Sequence, residues 1–255
     1  MSLSRPQEGR TPNPATRFYE WNGATGSLRY YDKQKKENVD CGTKLSFILL
    51  DQLSSISGWH DKSQSGIYAN EVKDTTKDVL VVKAFKGGTL AEGFYREIKD
   101  RVNVAGGLFT ANCYVGFKNG AKGPLALGAL RFTGAALNAW IEFCKAHRAD
   151  LYQKGIRITN YKEGKKGKVV FRVPVFELVD VPKELFSQAQ VLDVELQTYL
   201  DGYLKRNTRD QVEAPPAQVA EAGGDERTYD EDFEPPPPDD DDRPVDDDSD
   251  DAGWS

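Results

Sequence analysis

The stretch from Val212 to Ser255 most limits what this chain can fold into. It holds Asp239 to Asp242, Asp246 to Asp248, Asp250 and Asp251, a run of four prolines from Pro235 to Pro238, and almost no aliphatic residue. A segment with few apolar groups and a high density of one charge cannot offset the entropy of ordering its backbone. The sequence therefore predicts a solvated acidic tail over 212–255, with Trp254 near its tip. The folded body is left with the remainder, enough for one domain with a sizeable core.

The charge balance reinforces that division. Met1 to Gln211 carries 32 Lys and Arg against 23 Asp and Glu, a net +9, whereas Val212 onward carries 2 against 17, a net −15, which the formal total of −6 conceals. A basic body joined to a polyanion suggests a surface for polyanions and a tail able to compete for it. The plainer reading is a tail that serves only solubility.

Residues 1–16 read as a flexible arm and 17–211 as one domain. No run approaches the ~20 apolar residues of a membrane span, and Met1 to Thr16 lacks the apolar core of a secretory leader, so a cytoplasmic protein is expected. Cys41, Cys113 and Cys144 include no C-x-x-C pair and fit reduced thiols. With only His60 and His147, a histidine metal site or a Ser-His-Asp triad has little to be built from, and no cofactor is expected.

Aromatic runs Arg17–Trp21 and Ser27–Tyr31 around Asn22–Gly26 predict a hairpin. Lys33 to Asn38 reads as a basic loop. Lys44 to Ile56 is apolar at both parities and predicts a strand buried on both faces, followed by a turn at Ser57–Asp61. Strands are expected at Gly66–Val72, Asp78–Phe85, Leu108–Lys118 and Leu125–Phe132. Thr89-Leu90-Ala91-Glu92 has the form of a capping box, which predicts a helix from Thr89 with Leu90, Phe94, Ile98 and Val102 along one face. A second helix is expected from about Thr133, a hairpin from Ile156–Lys162 and Lys168–Val179 with Pro174 marking an edge or bulge, and a final amphipathic helix over Leu185–Leu204.

No nucleotide-binding, zinc-protease or nucleophile-elbow motif is present. Asp40, Asp51, Asp61, Glu71, Asp74 and Asp78 lie in or beside strands, which keeps a Mg²⁺-dependent nuclease as one alternative. A DNA-mimicking protein-interaction factor is another. Basic and flat side chains interleaved on strands favour a surface for single-stranded nucleic acid, where cations hold phosphates and rings stack on bases. The phosphate candidates are Arg29, Lys44, Lys83, Lys86, Lys118, Lys122 and Arg172. The stacking candidates are Trp21, Tyr30, Trp59, Tyr68 and Tyr114. Lys83, Phe85 and Lys86 form a basic-aromatic strand end. Phe94 and Trp140 read as core.

LSFILLDQLSSISGWHDKSQSGIYANEV (Leu45 to Val72), FKGGTLAEGFYREIKDRV (Phe85 to Val102) and the aromatic-tipped acidic tail resemble the OB-fold single-stranded DNA-binding proteins of tailed bacteriophages. The resemblance implies a mainly β protein built on a five-stranded OB barrel with added hairpins and helices. It implies a non-enzymatic role, coating single-stranded DNA without sequence preference during replication, recombination and repair in a host bacterial cytoplasm. It assigns Asp246, Asp247, Asp248, Asp250, Asp251 and Trp254 to docking on a polymerase, helicase, primase or recombinase and to competition with DNA for the groove. A homodimer is compatible with it. The tails of that group often end in Phe or Pro-Phe, whereas this one ends Gly253-Trp254-Ser255.

Overall fold

The structure, a computed structural model, describes residues 12–32, 34–118 and 123–207. The fold is mainly β, an open mixed sheet with three α-helices and one short 3-10 turn (Asp61–Ser63) among the described residues. The expected first hairpin is β1 (Arg17–Asn22) and β2 (Ser27–Asp32). The stretch read as a basic loop is a turn over residues 34–36, but its last two residues enter a short edge strand, β3 (Glu37–Asp40), against β2. Then come β4 (Leu45–His60), β5 (Ser65–Ala69), β6 (Leu80–Ala84) and β7 (Gly88–Gly93), followed by α1 (Tyr95–Val104). β8 (Gly107–Lys118), β9 (Leu125–Thr133), α2 (Gly134–Ala146), β10 (Gly155–Lys166), β11 (Val169–Val179) and α3 (Lys183–Asn207) complete the chain.

The helix expected from Thr89 begins only at Tyr95, because residues 88–93 pair with β6 and their backbone groups are committed to that ladder. Ile98 and Val102 keep their expected inward face. Ser57 to His60, expected as a turn, continues β4, pairing with β5 on one side and, through Gly58, with β8 on the other. Gly58 permits this: a Cβ there would sit 2.2 Å from the Gly106 carbonyl oxygen, and one on Gly106, at φ +86°, would sit 2.2 Å from the Trp59 carbonyl oxygen.

The strand order is β3-β2-β1-β9-β8-β4-β5-β6-β7, with β10 joined to the first part of β4 and β11 to β10. β1 and β9 are parallel; the other ladders are antiparallel. The expected closed five-stranded barrel is not formed. Both edges of β1 are already taken by β2 and β9, so β11 meets the β1–β2 turn rather than a strand edge. There the Arg172 amide donates to the Gly23 carbonyl at 2.8 Å and the Trp21 indole donates to the Arg172 carbonyl at 2.8 Å. Two residues on, Pro174 has no N–H to offer on that edge.

β4 is the strand on which everything else is assembled. Its register to β8 shifts between Leu49 and Asp51, leaving Leu50 as an extra residue. Before this bulge, Phe47 and Leu49 face one core with Trp140 at its centre; after it, Leu53 faces the other, beneath Leu196 and Leu200 of α3. β8 alternates as expected, Cys113, Val115 and Phe117 toward the α2 side and Tyr114 toward α3. A third cluster lies under α1, where Ile67, Leu80 and Val82 pack on Ile98 and Val102. Trp140 is fully buried and donates its indole N–H to Gln52 Oε1 at 2.8 Å, which satisfies its polar atom inside the core.

Candidate nucleic-acid interface

Among the described residues, α3 covers only half of its face of the sheet. α3 starts near β9, where the Leu125 amide donates to Gln188, passes Gly116 with Leu192, and lies on Tyr114 and Leu53 through Leu196 and Leu200. Near its end the Tyr203 hydroxyl accepts the Glu71 amide at 3.0 Å. Beyond that point the same face of β4, β5, β6 and β8 carries Ser57, Trp59, Tyr68, Lys83, Phe85 and Thr110.

Register places these side chains together. Trp59 pairs with Gly66 and Ser57 with Tyr68; Tyr68 pairs with Lys83, and the Phe85 amide donates to the Gly66 carbonyl. The bare Gly66 leaves room for the Phe85 ring, which a Cβ would approach to 3.3 Å. Tyr68 and Phe85 have centroids 4.6 Å apart with planes 35° from parallel. Trp59, Tyr68, Lys83 and Phe85 are each partly exposed, and Lys86 is exposed at the adjoining turn. Ser57 and Thr110 are linked through their hydroxyls at 2.7 Å, so the floor of this patch is satisfied without solvent.

The structure gives several expected site residues structural tasks instead. Trp21, 6% exposed, is in the core and spends its indole on the Arg172 carbonyl, so it offers no face to a base. Tyr114, 0% exposed, donates its hydroxyl to Glu71 at 2.7 Å beneath α3. Tyr30 packs edge-on against Tyr19 at 5.7 Å and carries the Arg17 guanidinium 5.0 Å above its ring. Arg29 pairs with Glu20 at 3.1 Å, which neutralises it. Arg172 pairs with Glu163 at 3.1 Å, stands 5.3 Å over Tyr161 and donates to the Ala24 carbonyl, locking the last hairpin to the first. Lys44 and Lys118 are exposed, at the far end of the α3 face from Trp59. Lys122 and the tail residues Asp246, Asp247, Asp248, Asp250, Asp251 and Trp254 lie outside the described residues.

The candidate metal-binding carboxylates are dispersed. Among the described residues no three of His, Cys, Asp and Glu are grouped to hold an ion. Asp40 accepts Ser27 and the Gly42 amide, Asp51 accepts Gln197, and Asp74 accepts the Thr76 hydroxyl and amide, which with Lys77 pulls its carboxyl down to about 2. Glu71 is different. Burial raises its pKa, against the opposing pull of Tyr114, Arg131 and Asn112, whose amide donates to it at 2.6 Å. This group ties β8 and α3 to the β5–β6 connection at the border of the open half.

The ring of Phe85 packs closely over Gly66 and beside Tyr68, and the spacing of aromatic residues in the chain gives no hint of it. The chain matches no protein-family model, no curated protein and no solved structure.

Proposed function

We propose that the protein binds and covers single-stranded DNA without sequence preference, using the open half of the α3 face. The observation that carries this reading is the convergence of Trp59, Tyr68 and Phe85 with Lys83 on one side of β4–β5–β6, which no helix among the described residues covers. Every base has a flat face, so rings flanked by cations accept any sequence, each stacked base contributing about 1–3 kcal/mol. In this reading the curled part of the sheet, where β11 is tied to the β1–β2 turn across the core around Trp140, is an opened relative of a five-stranded OB barrel. Near its end α3 meets the Glu71 amide through the Tyr203 hydroxyl at the border of the same open half, and the acidic segment of net −15 follows α3 in the chain, where it competes for that surface. Its aromatic tip recruits replication or recombination proteins.

Titrating a labelled oligothymidylate with the full chain and with residues 1–211 tests this. The full chain binds more weakly at low salt, log affinity falls with log salt by about 0.7 per phosphate neutralised, and the strand stays intact with Mg²⁺ present. No binding by either form at low salt, or an affinity indifferent to salt, refutes the proposal.

A further inference from the structure

At the opposite end of the same face lies a second basic site, built where β10 joins β4. Ser46 and Arg157 are cross-strand partners, and the Arg157 Nε donates to the Ser46 hydroxyl at 3.1 Å. That bond fixes the guanidinium plane. Its two terminal nitrogens are left for a ligand, since among the described residues Arg157 makes no ion pair. Lys44, Leu45, Ser46, Arg157 and Thr159 line an open cleft of about 410 Å³. Phe47 pairs with Phe117, so the next antiparallel step sets Lys118 across from Ser46 on this same face. The acidic neighbour is Glu177, which pairs in register with Arg157 and accepts the Thr159 hydroxyl at 3.4 Å.

The strip continues along the outer face of β10 and β11. Lys162 is exposed there, and Phe171 lies across Gly164, where a Cβ would come within 2.4 Å of its ring. A planar fork, two flexible ammonium groups and a ring on one side suit consecutive phosphodiesters better than a single small anion.

We propose that Arg157, Lys44 and Lys118 form a second phosphodiester site for the same single strand, so that binding is bipartite; this rests on the function proposed above. Ser46 and Trp59 are separated along β4 by roughly 40 Å at about 3.3 Å per residue. Once one site is filled the other is engaged within the molecule, so a strand long enough to reach both gains affinity that a short strand cannot.

The experiment compares oligothymidylates of about 5 and about 25 nucleotides, the longer spanning some 85 Å even at a stacked spacing of about 3.4 Å. The Lys44→Ala/Arg157→Ala variant should bind the long strand about tenfold or more weakly, with its salt slope reduced by about 1.4, and bind the short strand as the unmodified chain does. Arg157→Lys keeps the charge and loses the fork, so it should keep the slope and lose part of the affinity. Unchanged affinity and slope on the long strand, with both variants melting as the unmodified chain does, would overturn the bipartite site. So would an equal loss on both strand lengths. Failure of the unmodified protein to bind either strand would instead sink the functional reading on which this one rests.

Discussion

Trp21 and Trp59 look interchangeable in sequence, each beside a glycine turn on an aromatic strand, yet the structure gives them opposite consequences when altered. Trp59 stands on the open half of the α3 face. If one base stacks on it, Trp59→Ala removes about 1–3 kcal/mol of binding, a loss of roughly 5- to 150-fold at about 1.4 kcal/mol per tenfold. Trp21 is 6% exposed and its indole is the donor to the Arg172 carbonyl. Trp21→Phe keeps most of the ring and deletes that donor, leaving a carbonyl at the β11 edge unpaired, at a cost of about 1–3 kcal/mol. In a body of this size that is a fall of roughly 2–12 °C in melting temperature, at about 2–4 °C per kcal/mol. Fluorescence anisotropy with a labelled oligothymidylate, run well below both melting temperatures, reads the first effect; a thermal melt reads the second. The reasoning fails if Trp59→Ala binds within about twofold of the unmodified chain, or if Trp21→Phe weakens binding as much as Trp59→Ala does.

Two further outcomes follow from buried groups. Glu71 holds its proton to a higher pH when folded than its ordinary 4.5, so the stability it contributes is complete below that value and declines as pH rises through the folded pKa. Glu71→Gln cannot ionise. The variant should therefore gain on the unmodified chain in urea midpoint from about pH 4.5 upward, and a gap that stays flat or narrows with rising pH contradicts the assignment. Gly106→Ala would force a methyl group into the Trp59 carbonyl at a position with φ +86°. It should destabilise by more than about 1 kcal/mol and displace the end of β4, measured as a lower melting temperature together with altered tryptophan emission; an unchanged melt would mean that the two backbones do not approach this closely.

Features governed by neighbours along the chain are legible in the residue order alone. The period-two pattern of Leu108 to Lys118 assigns Cys113, Val115 and Phe117 to one side and Tyr114 to the other, because each side of β8 meets its own core. The second and third helices are equally plain. Features decided by distant partners are not. Thr89 to Glu92 spells a helix start, but the backbone groups there are drawn into pairing with β6. Tyr114 reads as an exposed strand aromatic until α3, from the far end of the domain, closes over it. Trp21 is withdrawn from solvent by Arg172, which lies 151 residues later. Arg157 takes its orientation from Ser46, 111 residues away, and a lone arginine in an alternating strand carries no signal of that kind.

The extra residue at Leu50 has a consequence for how this domain can vary. On one side of it even-numbered positions of β4 look toward α3, and on the other side odd-numbered ones do, so Ser46 and Trp59 share a face only because the strand changes phase once between them. Two residue substitutions at separate sites in β4 would act independently, but loss of one residue would not. Removing Leu50 itself would leave a regular ladder with Ser46 and Trp59 still on one face, whereas removing one residue elsewhere between them would turn Trp59 under the sheet relative to Ser46. The irregularity is thus a frame marker: among relatives of this chain a one-residue difference in the length of β4 is expected at the bulge and not elsewhere between Ser46 and Trp59, where it would set the two ends on opposite faces.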